Sequence, residues 1–383
     1  MRKWDKYAIM HKDRKVASIN SDGSCTIYYP TFMPYNLYLE KSEDIDERLN
    51  NLVNFYAWCS SRVLTLDRQY AKEILNALGM KQSTTDKERA EIAISYHCVS
   101  MMDVYWVKGL REKITFDDVN LFNHSLTDAF VDISLRGKSL TVENSELITP
   151  ADIAPDVGTP GVAPKAWVRR DNTFKLFKDG QLRDVNAEIL ASKIIDCFDV
   201  DHVKYEEDTF DGQIVSACKI ITSEEHSIVA AEHVEIYALN HDISLMDIVF
   251  EKSFREYHMM NIIDYLIGNN DRHWGNWGFW IDNKTNKIES LYPLMDFNKA
   301  FIAYSTLEGA MCLPEGGRIS QKDAALYAVK LVGLNQIKEV ERKWFDDENI
   351  WEMFNQRLDV LKVANDEAVI NKRIKTNSIY LKT

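Results

Sequence analysis

The first forty residues alternate short apolar runs with polar turns, which is the pattern of β-strands. In the segment YAIMHKDRKVASINSDGSCTIYY, the pair Asp22-Gly23 separates two such runs. An Asp-Gly pair between apolar runs is typical of a hairpin turn. The pattern therefore predicts a small β unit in this part of the chain.

From about residue 43 to residue 110 the apolar positions recur three or four residues apart, which predicts helices. A second helix from Leu66 to Leu78 would end at Gly79, because glycine is the common residue just after a helix. The first helix is marked by Ile45, Leu49, Leu52, Val53 and Tyr56.

Residues 113 to 165 combine short polar and apolar pieces with half of the chain's prolines. Proline lacks a backbone donor and interrupts regular elements, so a boundary or an exposed functional loop is expected here. The four prolines are Pro150, Pro155, Pro160 and Pro164.

Beyond this stretch the pattern predicts two strands, a helix and a further strand, in the segments AWVRR, TFKLFKD, VNAEILASKIIDCF and IVSACKIIT. This order fits a mixed sheet carrying one helix, the plan of a small nucleotide-binding lobe. From about Ser244 the helical period dominates, apart from a hairpin between Trp277 and Leu294. The expected fold class is α+β.

Composition limits the classes of protein that fit. The chain has 383 residues, 45% of them hydrophobic, which is enough for a large core and excludes a peptide or a lone binding module. The net charge of −13 repels phosphodiesters and anionic lipid, so direct nucleic-acid or membrane binding is not expected. Six scattered cysteines and the lack of an apolar run near 18 residues predict a cytoplasmic protein with free thiols and no membrane anchor.

The densest group of polar residues lies in DYLIGNNDRHWGNWGFWIDNKTNKIESLYPLMDFNKAF, residues 264 to 301. A helix ending near Gly268 is followed by a polar loop, a hairpin and then Asp296. With the turn centred between Lys284 and Thr285, the paired residue numbers sum to about 569, so Asn276 would face Pro293 and His273 would face Asp296. Carboxylate and amide oxygens gathered at one end of a hairpin can hold Mg²⁺, which suggests a phosphate-transfer site.

The spacing of Asp271, Asn276 and Asp296 supports the interpretation as a phosphate-transfer site. In the protein-kinase catalytic loop H-R-D-x-x-x-x-N, the base Asp precedes the metal-binding Asn by five positions, and a later D-F-G Asp holds the other Mg²⁺. Here Asp271 precedes Asn276 by five, and Asp296 opens an Asp-Phe pair. Each residue alone is explained by the preference of Asp and Asn for turns, but three in the right order favour the functional interpretation.

The strings IGNNDRHWGNWGF and PLMDF resemble the catalytic core of the HipA-like kinases, a bacterial branch related to the phosphoinositide kinases, whose loop reads D-R-H-x-x-N. The resemblance covers about residues 155 to 300. It implies that Asp271 is the general base, that His273 orders the loop, and that Asn276 and Asp296 are metal ligands. Asn298 stands in place of the D-F-G glycine, a departure that HipA-like proteins tolerate.

The same resemblance implies a two-lobed protein-kinase-like fold with an N-terminal accessory region. The expected divisions are residues 1–150 for the accessory region, 151–222 for the small lobe and 223–383 for the large lobe.

Upstream, the family has a phosphate-gripping loop, a strand lysine and a helix glutamate. The strand lysine would be Lys175, held in an ion pair by Glu188, with Lys178 as the rival. Backbone groups of about Lys219 to Ile221 would meet adenine at a hinge between the lobes. The phosphate loop would be the segment from Gly158 to Lys165, with Gly158, Thr159, Gly161 and Lys165 as its contacts.

The resulting functional hypothesis is an ATP- and Mg²⁺-dependent kinase that phosphorylates Ser or Thr of a protein. Three alternatives stay open. A kinase of the same fold could act on a small molecule or a lipid. The protein could act mainly by binding, since HipA-like toxins pair with a small DNA-binding antitoxin. A nucleotide-bound transferase could move AMP instead of the γ-phosphoryl group.

Overall fold

A computed structural model describes residues 6–64, 67–77, 85–123, 134–136, 163–170, 173–302 and 304–380. These residues form an α+β structure, as the sequence pattern predicts, and the pairings within their three sheets are antiparallel. The sheet that contains AWVRR and TFKLFKD was expected to be mixed, but its described strands are all antiparallel. No helix in these ranges is long and apolar enough to cross a membrane. All six cysteines are buried and free, as expected.

The N-terminal sheet contains four strands in the order β3-β2-β1-β4. The expected Asp22-Gly23 turn joins β2 to β3, and Gly23 has a φ of +80°. A Cβ at this glycine would lie 1.9 Å from the carbonyl oxygen of Arg48, so glycine is required where the turn meets the first helix. The strands are β1 (Lys6–His11), β2 (Arg14–Asn20), β3 (Cys25–Ile27) and β4 (Tyr105–Gly109).

Three helices pack with this sheet. The first begins at Asp44, whose side chain accepts hydrogen bonds from the Asp46 and Glu47 amides and satisfies donors that the helix leaves unpaired. The second helix covers only part of the predicted span, and Gly79, its predicted stop, lies outside the described residues. The helices are α1 (Ile45–Ser60), α2 (Ala71–Ala77) and α3 (Asp86–Ser95).

The central sheet has the order β5-β6-β8-β7, with helix α4 packed beside it. Strands β5, β6 and β8 and helix α4 match the predicted strands and helix. Strand β7 was not predicted, although the Asp211-Gly212 turn that joins it to β8 is a recognisable hairpin signal. The elements are β5 (Lys165–Arg170), β6 (Thr173–Lys178), α4 (Leu182–Ile195), β7 (Glu206–Phe210) and β8 (Gln213–Lys219).

The third sheet contains the predicted hairpin, in the order β11-β10-β9. Near the turn the register agrees with the prediction, because Ile281 pairs with Ile288 and Asp282 with Lys287. An irregularity beyond Ile281 then shifts the pairing by one residue. The pairing does not extend to Asn276 or His273, so the predicted facing pairs are wrong. The strands are β9 (His226–Ala230), β10 (Gly278–Asp282) and β11 (Lys287–Leu291).

Helices form the rest of the fold, as the period from Ser244 onward predicts. Helix α6 ends at Gly268, which has a φ of +60° and lies so close to Tyr304 that a Cβ there would be 2.5 Å from the ring. The main core gathers around α6 and includes Ile262, Phe279 and Phe297. The helices are α5 (Ala231–Asn240), α6 (Leu245–Ile267), α7 (Gln321–Val332) and α8 (Glu348–Tyr380).

Candidate active site

The loop after α6 carries three of the predicted site residues and is held by its own hydrogen bonds. The Asn276 side-chain amide donates to the carbonyl oxygen of Asp271 at 2.8 Å, and the Asn276 backbone amide donates to the carbonyl oxygen of His273 at 2.9 Å. The Gly275 amide donates to Nδ1 of His273 at 3.0 Å. Asp271, His273 and Asn276 are therefore fixed relative to one another on one compact turn.

Arg272 attaches this loop to its surroundings, a role that the sequence argument did not assign. Its buried guanidinium makes a two-pronged ion pair with Asp264 of α6, at 2.9 and 3.1 Å. It also donates to the carbonyl oxygens of Asn276 at 2.7 Å and Met295 at 2.6 Å. One side chain thus joins the helix, the loop and the residue before Asp296. Arg272 is the middle residue of the D-R-H string, in which the family resemblance implies roles only for Asp271 and His273.

Asp296 follows the hairpin in an unusual backbone conformation. Its φ is +62°, a left-handed region in which non-glycine residues are uncommon and which often occurs at functional sites. Its Oδ1 accepts a hydrogen bond from Nζ of Lys178 at 3.0 Å, and its backbone amide donates to the Tyr205 hydroxyl at 3.2 Å. The hairpin therefore returns Asp296 to the central sheet.

Lys178, at the end of β6, joins Asp296 to helix α4. Its Nζ lies 2.6 Å from Oε1 of Glu188, and only 7% of the lysine side chain and 1% of the glutamate side chain are exposed. The second carboxylate oxygen of Glu188 accepts from the Ser216 hydroxyl at 2.5 Å. The pair is fully hydrogen-bonded, which a buried ion pair requires.

The predicted ion pair between Lys175 and Glu188 is therefore wrong, and the rival Lys178 makes that contact. Lys175 lies on the opposite face of β6, where its Nζ is 3.3 Å from Oδ2 of Asp208. Successive side chains of a strand point to opposite faces, so two lysines three positions apart cannot share one.

Lys165 is the only described member of the predicted phosphate-loop contacts. It lies directly opposite Lys178 in the β5–β6 pairing and is 6% exposed. Burial lowers the pKa of its ammonium to about 8, although the nearby Asp296 carboxylate acts in the other direction. Gly158, Thr159 and Gly161 lie outside the described residues.

The two carboxylates of the site have opposite pKa shifts. Burial by itself raises the pKa of Asp296, but Lys178 and Lys165 overcome this and hold it well below its usual range. Burial raises the pKa of Asp271 above its usual value, with a further contribution from the charge of Asp296. Asp296 is therefore anionic at any ordinary pH, and Asp271 is the stronger base of the two.

The predicted hinge residues lie where the chain leaves the central sheet. Lys219 ends β8, and the amide of Ile220 donates to the carbonyl oxygen of Phe174 at 2.9 Å. Ile221 is partly buried against the main core. A cleft of about 310 Å³ opens here between β6 and the hinge. Its lining includes Arg169, Thr173, Phe174, Ile220 and Thr222.

The donor set near Asp296 fits Mg²⁺ better than a metal with nitrogen or sulfur ligands. No three His, Cys, Asp or Glu side chains form a metal cluster in the described part of the chain. The Asn276 amide nitrogen is used within the loop, which leaves its carbonyl oxygen as the donor for a cation. Mg²⁺ typically takes one or two protein oxygens and completes its shell with water and phosphate, so Asp296 and Asn276 suffice.

No protein-family model matches the chain, and no curated protein matches its sequence. Solved structures do match. A chain of the Shewanella oneidensis MR-1 toxin–antitoxin complex of HipA, HipB and operator DNA is 11% identical and gives a TM-score of 0.53, over 94% of this chain and 99% of that chain. The Helicobacter pylori proinflammatory kinase CtkA is 16% identical with a TM-score of 0.43, over 55% of this chain and 92% of that one.

The chain thus shares its α+β fold with that Shewanella chain. More narrowly, the match to the Shewanella structure confirms the expected likeness to HipA-like kinases at the level of the fold. An identity of 11% supports that statement about the fold and no statement about residue roles.

Proposed function

We propose that this protein is a kinase that uses ATP and Mg²⁺ to phosphorylate a Ser or Thr hydroxyl of another protein. The observation that carries the proposal is the buried contact of Lys178 with both Glu188 and Asp296. A lysine fixed between a helix glutamate and a metal-binding aspartate is the arrangement that kinases use to hold phosphates. The adjacent loop adds Asp271 and Asn276.

The residues would divide the work as follows. Lys178 and Lys165 bind phosphate oxygens, and Asp296 and Asn276 hold Mg²⁺, which neutralises charge on the β- and γ-phosphates when bound. The substrate hydroxyl oxygen forms a bond to the γ-phosphorus while the bond from that phosphorus to the β-phosphate oxygen breaks. Asp271 accepts the hydroxyl proton, and ADP leaves.

Asp271 suits the role of base because its pKa is raised by burial, which makes it a better proton acceptor than an exposed carboxylate. The Gly275 amide donates to Nδ1 of His273, so the neutral imidazole carries its hydrogen on Nε2. His273 would then order the loop through Nδ1 and offer a donor at Nε2.

The lobe arrangement belongs to the same proposal, with residues 151–222 as the small lobe, 223–383 as the large lobe and 1–150 as an accessory region. ATP would lie between the lobes, with adenine at the backbone of Lys219 to Ile221 and phosphates at the loop of Gly158, Thr159 and Gly161. A cleft lined by Ile220 and Thr222 lies next to this backbone segment.

Lys178→Met tests the proposal against Lys175→Met as a matched control on the same strand. We expect Lys178→Met to lower phosphoryl transfer at least about a hundredfold, because the phosphates lose a fixed positive partner. Lys175→Met removes an equal charge from the other face and should change transfer less than about threefold. The measurement is transfer of labelled phosphate from ATP to a mixture of Ser/Thr peptides and proteins.

Equal activity of the two variants would contradict the assigned role of Lys178. Transfer to a small molecule or lipid, with none to any protein or peptide, would support the alternative substrate class instead.

A small DNA-binding protein partner is a second element of the proposal. It is supported by the Shewanella structure, in which HipA was solved with HipB and operator DNA. Co-purification of the full-length chain with the product of a neighbouring gene would test it.

A further inference from the structure

The N-terminus of helix α5 is fixed against the loop that carries Asp271. The Ala231 amide donates to the carbonyl oxygen of Trp277 at 2.9 Å, and the Glu232 amide donates to the carbonyl oxygen of Trp274 at 3.1 Å. Both are bonds between backbone groups, so the position of Glu232 relative to the loop does not depend on side-chain rotamers.

The carboxylate of Glu232 reaches over the loop at Gly275. A Cβ at Gly275 would lie 3.3 Å from Oε1 of Glu232 and 2.9 Å from Cε1 of His273. Because Gly275 has no side chain, the Glu232 carboxylate and the His273 imidazole can both occupy the space next to it. Gly275 is four residues after Asp271, within the same hydrogen-bonded turn.

This carboxylate has no neutralising cation among the described residues. The Glu232 side chain is 55% exposed and forms no ion pair with a lysine or arginine in that part of the chain. Its nearest nitrogen partner, Nε2 of His233, is 3.9 Å away, and burial lowers the pKa of that histidine, so it is neutral at pH 7. A negative charge thus faces solvent over the loop that carries the proposed base.

A second segment adjoins the start of the loop. The segment at residues 311–313 lines a small cavity together with Asn269 and Arg272, and the Gln321 side chain donates to the carbonyl oxygen of Asn269 at 2.5 Å. Met311 and Leu313 are 50% and 36% exposed. Exposed apolar side chains thus lie close to the start of the loop, where a polypeptide substrate can contact them.

We propose that Glu232 selects substrates in which a Lys or Arg lies close to the phosphorylated Ser or Thr. The inference rests on the proposed kinase function and names the substrate class of the same site. An Arg–carboxylate contact is charge-assisted and can be two-pronged, which gives both strength and direction. For a half-exposed carboxylate we expect a preference of about tenfold in kcat/KM.

The test compares pairs of Ser peptides that differ in one residue near the serine, which is Arg in one peptide and Ala in the other. The position of this residue relative to the serine is varied from pair to pair. Wild type should favour one Arg position about tenfold, mainly through KM, and the preference should shrink in high salt because exposed charges are screened. Glu232→Gln should reduce the ratio to near one. Glu232→Lys should prefer a peptide with Glu at that position.

Glu251→Gln is the control, since Glu251 is an exposed carboxylate of α6 that pairs with Lys252. It should retain the wild-type ratio. If Glu232→Gln fails to fold, Glu232→Lys with the Arg and Glu peptides decides the question: a retained preference for Arg would overturn the role of Glu232.

The outcomes separate the two claims. Wild-type transfer to peptides without preference for Arg at any position, or a preference that Glu232→Gln retains, would overturn the role of Glu232 and leave the kinase intact. Absence of transfer to every peptide and protein would overturn both.

Discussion

At the residue scale, Asp296 combines three properties that matter for the site. It adopts a left-handed backbone conformation, binds Lys178 and presents a carboxylate whose pKa is held well below its usual range by two lysines. Asp and Asn tolerate this conformation better than other residues with side chains. Asp296→Asn therefore removes the charge and keeps the backbone.

For Asp296→Asn we expect loss of most of the Mg²⁺-dependent part of the stabilisation by ATP. Saturating ligand at a hundred times its Kd adds about 2.7 kcal/mol to the folded state, so the effect is measurable. Thermal unfolding is recorded with ATP and chelator, and with ATP and Mg²⁺. Only the increment between the two is compared, because the substitution also weakens the contact with Lys178.

Asp199→Asn serves as the control, since that residue makes an exposed ion pair with Arg255. An equal Mg²⁺ increment in wild type and Asp296→Asn would rule out Asp296 as a metal ligand.

The two lysines of β6 show where a residue's role could not be predicted from the sequence. Both faces of the strand are covered, Phe174 packing in the core with the N-terminal sheet and Phe177 in a small cluster on the other face. Alternation shows that Lys175 and Lys178 point in opposite directions, but two apolar faces look alike in sequence. Only the packing of α4 and Asp296 decides which lysine faces the site.

At the scale of elements, Arg272 connects helix α6, the loop that carries Asp271 and the segment before Asp296. Its partners are the buried Asp264 carboxylate and the partly buried backbone carbonyls of Asn276 and Met295. Removing the guanidinium leaves a buried carboxylate without its cation. Loss of one partner of a buried pair typically costs about 3–5 kcal/mol.

Arg272→Met should therefore lower the free energy of unfolding by about 3–5 kcal/mol. Arg255→Met, on the same helix, breaks the exposed pair with Asp199 and should cost about 1 kcal/mol or less. Urea unfolding of both variants provides the measurement. A loss of similar size in the two would show that the Arg272 network does not hold the loop.

The elements themselves were well predicted where the signal is local. The helix ending at Gly268, the turn of the hairpin and its register near that turn depend on residues within a few positions of each other. The one-residue shift beyond Ile281 could not be predicted, because no residue of the local pattern marks it. The paired strands end before the loop. The loop is therefore connected to the segment before Asp296 by Arg272 and not by strand pairing.

At the scale of the whole molecule, the N-terminal region contacts both other sheets. Trp167 of β5 and Phe174 of β6 belong to its hydrophobic core. At the hairpin turn, Asn286 donates to the carbonyl oxygens of Thr31 and Met33 and accepts from the hydroxyl of Tyr105. The contacts of Asn286 join residues at least 181 positions apart, and no local pattern in the sequence marks them.

The fold places Asp271 and Asn276 on one loop, and Arg272 and Lys178 join that loop and Asp296 to the central sheet. The central claim is that this arrangement transfers the γ-phosphoryl group, with Asp271 as the base. Asp271→Asn preserves size and most hydrogen bonds but cannot accept the hydroxyl proton. A positioned base typically contributes about a hundredfold or more to the rate.

The most direct measurement incubates full-length wild type and Asp271→Asn with Mg²⁺ and a protein extract, using ATP labelled at the γ-phosphorus in one sample and at the α-phosphorus in another. We predict that wild type transfers only the γ-label to protein, and that Asp271→Asn still binds ATP but transfers the label at least about a hundredfold more slowly. Transfer of the α-label would identify an AMP transferase, and equal γ-transfer by the two proteins would contradict the role of Asp271.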